Sequence, residues 1–336
     1  MRRRLLLALQ LVCVAVYLRP IRGAVVINTW PFTRATSAAF AALANESSDS
    51  SKRALDAITA GCNRCEVDQC DFTVGYGGSP DSNGETTLDA MILDGTTMAM
   101  GAVARLRRVK AAIGVARAVM DHSAHSVLAG DGALAFAKMM GFEEESLETP
   151  KSKAMHDEWR RHQCQPNYFT NVVAQNSSCP PYEPLPVPPA IIGSGGASRQ
   201  ELFDLISETN HDTIGMVVLS GEGRMAAGAS SNGANHKIAG RVGDAAIPGA
   251  GAYVDSRFGG AAATGDGDIM MRFLPSFHAV QDMAAGIHRE LLCGMVCLNR
   301  MGEYGGAGHG WKFSFAVQTS SMATPEVVAV APIALE

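Results

Sequence analysis

The chain has 336 residues, 47% of them hydrophobic and 18% charged, with a formal net charge of -5. That balance is that of a folded protein with a sizeable core, in one large domain or two ordinary ones, and it excludes disorder along most of its length. The acidic balance argues against a nucleic-acid partner.

The start, Met1-Arg2-Arg3-Arg4 followed by the apolar run Leu5 to Leu18, reads as a secretory signal peptide over residues 1–23. It is too short to serve as a stable membrane anchor, and no other stretch reads as a span. Its removal takes away five arginines and no acid, so the charge moves from -5 to -10. It also takes Cys13 and leaves seven of the eight cysteines, an odd count for an oxidising compartment. Cys62-x-x-Cys65 has no second ligand pair at zinc spacing, so no metal is expected. Asn45-Glu46-Ser47 and Asn176-Ser177-Ser178 are glycosylation sequons.

Val25 to Thr29 reads as a first strand, with Trp30 after it. Ser37 to Ala44 and Ser51 to Gly61 are Ala-rich and helical, with Gly61 as a C-cap. Asp71 to Pro80 and Glu85 to Gly95 read as two extended runs joined by the Asn83-Gly84 turn, that is, as a hairpin. Met98 to Met120 reads as one long helix, with His122 and His125 at its end as surface histidines rather than a metal pair. Gly130 to Met140 and Lys151 to Arg161 are two more helices. A Pro/Gly-rich linker follows over 180–198, and its Gly193-Ser194-Gly195-Gly196 lacks the Lys-Ser/Thr of a phosphate loop.

After the linker, His211-Asp212-Thr213 leads into the apolar, β-branched run Ile214 to Leu219. Gly221-Glu222-Gly223-Arg224 turns the chain back into Met225 to Gly233, which puts Ser231 level with Thr213. Gly240-Arg241-Val242-Gly243-Asp244 then carries a buriable Arg and Asp among small residues, read either as a structural salt bridge or as a ligand clamp. Gly259 to Ile269 is a further small-residue stretch, containing Thr264-Gly265-Asp266-Gly267, where backbone can approach a ligand closely. Phe313 to Val317 and Val327 to Val330 read as closing strands.

The Asp-Thr junction before a buried strand, the Asn28-Thr29-Trp30-Pro31-Phe32 block, the Thr73 region and Thr264-Gly265-Asp266-Gly267 together resemble the glycosylasparaginases, a family of N-terminal-nucleophile hydrolases. The resemblance implies an α+β fold, a four-layer αββα sandwich made as one precursor. It implies self-cleavage between Asp212 and Thr213 into an α subunit (24–212) and a β subunit (213–336), with αβ units paired as a dimer. The chemistry fits that implication, because a threonine hydroxyl needs a base and an N-terminal amine is the documented one. Such an amine titrates near ~7.7–8.0, whereas an amide nitrogen is not basic.

By the same resemblance Thr213 is the nucleophile, Thr264 and Gly265 form the oxyanion hole, and Ser231 and Thr73 help arrange the nucleophile. Arg241 and Asp244 take the substrate's α-carboxylate and α-ammonium, while Gly267 and Trp30 line the pocket. It also pairs Cys65 with Cys70 and Cys164 with Cys179, and implies no metal or cofactor. The substrate implied is asparagine linked to N-acetylglucosamine, handled in the lysosome on the secretory route. The alternatives are an L-asparaginase or isoaspartyl peptidase of the same fold, and an unprocessed, inactive secreted variant. The sequence departs from the family pattern with Thr73 for serine, Ser231 for threonine, a shortened Ala284 to Cys297, and a tail lacking a cysteine pair.

Overall fold

The computed structural model describes residues 23–45, 49–175, 179–186, 213–285, 294–309 and 311–333. The expected signal peptide, most of the linker, Asp212 and Cys293 lie outside the described residues. The first half of the chain gives β1 (Val25–Thr29), α1 (Thr33–Leu43), α2 (Arg53–Asp68), β2 (Leu88–Asp94), β3 (Met100–Leu106), α3 (Ala112–His122) and β4 (Val127–Ala129). It continues through α4 (Gly130–Met139), α5 (Pro150–Arg161), β5 (Val172–Ala174) and β6 (Tyr182–Pro184). The second half gives β7 (Ile214–Leu219), β8 (Met225–Ser231), β9 (Ala252–Asp255), β10 (Gly259–Thr264), α6 (Gly267–Phe273) and α7 (Pro275–Ala285). The final strands are β11 (Gly294–Asn299), β12 (Tyr304–His309), β13 (Phe313–Thr319), β14 (Glu326–Val330) and β15 (Pro332–Ile333).

Two sheets carry the fold. One has eight strands in the order β14-β13-β1-β7-β8-β2-β3-β4, and the other five in the order β15-β12-β11-β10-β9. The faces they turn to each other can be read from the glycines. A Cβ at Gly215 would sit 2.8 Å from Ala262 Cβ, and one at Gly260 would sit 2.6 Å from Val217. Side chains alternate along a strand, so the 213, 215, 217 face of β7 looks at the five-stranded sheet. The opposite face takes the helices: a Cβ at Gly61 of α2 would meet Met216, and one at Gly228 would meet Ile58 of α2. Gly61 therefore lies inside a helix that runs on to Asp68 and is capped by left-handed Gln69, not at a C-cap. A small second cluster of Ala261, Ala263, Met295, Ala279 and Val280 lies where α7 packs on the outer face of the five-stranded sheet.

Two further sequence readings need correction. Met98 to Met120 is not one helix but β3, a loop and α3. β3 pairs with β2 and β4 and is almost wholly buried, so burial on both faces leaves no alternation to mark it as a strand. Asp71 to Pro80 is not a strand, since Asp71, Phe72, Gly75, Gly77 and Ser79 all have positive φ. The hairpin partner of β2 is β3, reached through the turn at 94–100.

Candidate active site

Thr213 stands immediately before β7, 1% exposed, with φ +72°. That is a strained backbone for a β-branched residue, of the kind that persists only where its surroundings impose it. The surroundings are visible. Thr29 Oγ1 donates to the Thr213 carbonyl at 3.1 Å and accepts from Gly215 N–H at 2.9 Å, so one buried hydroxyl grips the backbone on both sides of Ile214. The Thr213 hydroxyl itself is buried with no hydrogen-bond partner among the described residues. A buried hydroxyl left unpaired in this way is rare and calls for a ligand, a water or a reaction to explain it.

Ser231 is where the turn placed it. Ile214 pairs with Ser230, so Ser231 is level with Thr213 and shares its inward face. Ser231 Oγ accepts from Gly233 N–H at 2.9 Å. Ser230, one residue earlier, points to the helix side and donates to Glu66 Oε1 of α2 at 2.6 Å. Burial pushes Glu66 up to about 8, against the bonds from Ser230 and from the Ile113 N–H that lower it.

The Thr73 hydroxyl is directed at the Cys70 carbonyl, 3.5 Å away, and no bond from it to Thr213 is present. Its loop is nonetheless fixed beside the end of β8. Asn232 N–H donates to the Thr73 carbonyl at 2.9 Å, and Asn232 Nδ2 donates to the carbonyls of Phe72 and Gly75 at 3.0 and 2.8 Å. Disulfide Cys65–Cys70 ties α2 to this loop, and Cys164–Cys179 closes the segment after α5. Cys62 is a buried thiol whose pKa burial raises well above the usual value.

On the five-stranded side, Thr264 ends β10, wholly buried. Trp30 Nε1 donates to Thr264 Oγ1 at 3.2 Å, and the Trp30 ring meets Phe313 edge to face at 5.4 Å. The neighbours Thr29 and Trp30 therefore link the Thr213 backbone to the Thr264 hydroxyl. Gly265 has φ +144°, a conformation that side chains rarely adopt. Its free side is lined by Met270 and Trp311.

The third part is the loop after β8. Arg241 Nη2 and Nε lie 3.1 and 3.3 Å from Asp268 Oδ2, so Asp268 is a carboxylate partner of Arg241. Asp244 is buried, and a Cβ at Gly267 would fall 2.5 Å from its Oδ1 and 2.9 Å from Arg241 Nη2. Only glycine lets the start of α6 approach both groups at once. Arg241 thus keeps guanidinium nitrogens beside Asp244 and Gly267, an arrangement suited to a ligand with a carboxylate and an ammonium group.

The structure brings Thr213 and Ser231 onto one row, joins Trp30 to Thr264, and gathers Arg241, Asp244 and Gly267. Four residues of this region escaped the sequence reading: Thr29, Asn232, Asp89 and Lys237. Lys237 is buried, and its Nζ donates to the carbonyls of Ser79 and Asn232 at 3.1 and 2.6 Å. The legible signal was a polar pair, Asn28-Thr29, closing an otherwise apolar strand.

The chain's relatives give the class of chemistry to which these groups belong. The chain matches the asparaginase family over residues 17–309 and belongs to it, as an amidohydrolase of the glycosylasparaginase group. Mouse N(4)-(beta-N-acetylglucosaminyl)-L-asparaginase is 45% identical over 345 residues, covering 95% of this chain and 96% of the mouse protein. The rat protein of the same name is 48% identical over 316 residues, covering 88% of each. An Arabidopsis thaliana protein named probable isoaspartyl peptidase/L-asparaginase 3 is 42% identical over 331 residues, covering 92% of this chain and 90% of that one.

Proposed function

We propose that the protein hydrolyses the amide between N-acetylglucosamine and asparagine after cutting its own chain between Asp212 and Thr213. The observation that carries this reading is the buried, unpartnered Thr213 hydroxyl at the head of β7, in strained backbone gripped by Thr29. No side-chain base bonds that hydroxyl among the described residues, so its proton acceptor is the α-amine released by cleavage. Thr213 Oγ1 attacks the amide carbon while the amine takes the hydroxyl proton. The Thr264 hydroxyl and the Gly265 N–H stabilise the oxyanion, as preorganised donors in a buried site do. The amine passes its proton to the departing nitrogen, which leaves as the amino sugar, and water hydrolyses the aspartyl ester to free aspartate and Thr213. Ser231 and the Thr73 loop hold the nucleophile's surroundings, and Arg241 and Asp244 hold the α-carboxylate and α-ammonium beside Gly267 and Trp30.

In this reading the stacked sheets with helices outside are the αββα sandwich, and residues 24–212 and 213–336 are an α and a β subunit paired in a dimer of αβ units. The signal at 1–23 takes the protein along the secretory route to the lysosome. The 45% identity to the mouse enzyme across nearly the whole of both chains supports the glycosylated substrate. N-terminal sequencing of the purified protein tests the cut: the smaller fragment is expected to begin Thr-Ile-Gly-Met. Turnover of the glycosylated asparagine is then compared with free asparagine and β-aspartyl dipeptides. An uncut chain that hydrolyses the glycosylated substrate at full rate overturns the mechanism. Faster turnover of the dipeptides moves the substrate to the class named for the Arabidopsis relative.

A further inference from the structure

Asp89 plays no part in the chemistry above, yet it lies in the same row as the nucleophile. It pairs in register with Ser231 of β8, and Ser231 is in turn level with Thr213, just ahead of β7. Residues directly opposite on adjacent strands share a face, so Asp89, Ser231 and Thr213 form one line across three strands. The Asp89 carboxylate is buried and both its oxygens are engaged by backbone. Oδ1 accepts from Arg105 N–H at 2.7 Å and Oδ2 accepts from Gly243 N–H at 2.8 Å. Arg105 stands at φ +50° where the β2–β3 register shifts between Leu88 and Ala90, so the backbone of β3 bends to present its N–H. Gly243 lies between Arg241 and Asp244. A Cβ placed on it would be 3.2 Å from Asp89 Oδ2 and 2.8 Å from Arg241 Nη1.

We propose that Asp89 is the positioning residue that sets the Arg241–Asp244 clamp at a fixed distance from Thr213, by holding the loop between them through Gly243 N–H. The proposal rests on the reading of Arg241 and Asp244 as the clamp. A strand is a rigid base and a loop is not, and the Gly243 N–H bond ties the loop between Arg241 and Asp244 to β2, in the row of the nucleophile. The geometry requires a carboxylate. It accepts at both oxygens, whereas an asparagine amide accepts at one and would turn its NH2 against an N–H donor. Burial raises the Asp89 pKa above the ordinary carboxylate value, against the N–H bonds from Arg105 and Gly243 and the nearby positive groups Lys237 and Arg241, which lower it.

The test is Asp89→Asn, assayed with Asp89→Glu, Arg241→Lys and the double variant Asp89→Asn/Arg241→Lys. The clamp grips groups whose bonds do not change in the reaction, so its displacement shows in KM and not in kcat. For D89N, KM for the glycosylated asparagine is expected to rise about 10–100-fold, the loss of one charge-assisted hydrogen bond, with kcat within about 3-fold. The Kd for L-aspartate measured by calorimetry on the cut enzyme should rise by the same factor. D89E, which keeps both acceptors, is expected to recover part of the loss. The double variant should have a KM within about 3-fold of R241K alone, since the two changes remove the same grip.

If R241K raises KM and D89N does not, or the two effects multiply, Asp89 is not the positioning residue. If R241K leaves KM unchanged, the clamp reading itself fails. If neither D89N nor D89E yields soluble, cut protein, Asp89 belongs to folding alone and the proposal is overturned.

Discussion

Thr29→Val is the sharpest test of how the nucleophile is held. The substitution keeps the shape of the side chain and removes its hydroxyl, so its effect is not one of volume. Two buried backbone groups lose their partner, the Thr213 carbonyl at 3.1 Å and the Gly215 N–H at 2.9 Å. Each buried polar group left unsatisfied costs about 1–3 kcal/mol, which puts the upper bound near 2–6 kcal/mol before the backbone relaxes. Relaxation is the functional point. In the uncut chain the φ of +72° at Thr213 stores about 1–3 kcal/mol, and once cleavage removes the residue before it the Thr29 bonds still fix the carbonyl side of Thr213. A shift on the order of 1 Å in a reacting group can cost about 10²-fold in rate. The expected result is a kcat about 100-fold lower on the glycosylated asparagine, a KM changed by less than about 3-fold, and a melting temperature several degrees lower. Thr29→Ser, which keeps the hydroxyl, should restore most of the rate. Cut T29V protein with Thr213 at its new N-terminus and a kcat within 3-fold of wild type would refute the reasoning.

Other outcomes follow from the same geometry. Thr264→Val removes the hydroxyl that accepts from Trp30 and is expected to lower kcat by about 10²–10³-fold with KM little changed, read by steady-state kinetics. Gly267→Ala places a Cβ 2.5 Å from Asp244 Oδ1 and 2.9 Å from Arg241 Nη2, so L-aspartate binding measured by calorimetry should weaken by about 10-fold or more. Glu66 gives a pH signature. Its folded pKa of about 8 lies above the ordinary 4.5, so the folded state holds that proton more tightly. The stability it contributes is complete below about pH 4.5 and is lost as pH rises through 8. Glu66→Gln cannot ionise, so the fall in melting temperature between pH 5 and pH 8 should be smaller in the variant. Equal slopes would show that Glu66 is charged in the folded protein.

What could be read from the sequence was what local pattern decides. The β7–β8 hairpin, and with it the level of Ser231 against Thr213, follows from two apolar runs and a Gly-Glu-Gly turn. α4 and α5 were legible as helical stretches, and the structure starts α5 one residue earlier, at Pro150, behind a Thr149–Ser152 capping box. What failed depended on distant chain. β3 resembles a helix because it is buried on both faces. The Asp71 to Pro80 loop has its shape imposed by Asn232, some 160 residues later. Asp268, a partner of Arg241, had no local signal, because α6 brings that carboxylate in from beyond a full strand. Likewise, Thr29 reads as an ordinary strand residue until β7 is laid beside it.

The order of the eight-stranded sheet has a consequence for a chain severed ahead of Thr213. Its strands alternate in origin: β14 and β13 from the later segment, β1 from the earlier, β7 and β8 from the later, then β2, β3 and β4 from the earlier. β1 is therefore zipped along both edges to strands of the other fragment, five registered pairs on one side and four on the other. The two fragments are interleaved like the fingers of clasped hands, and neither can leave without unravelling the middle of the sheet. Dilution should not part them, and heat should melt them together in one transition.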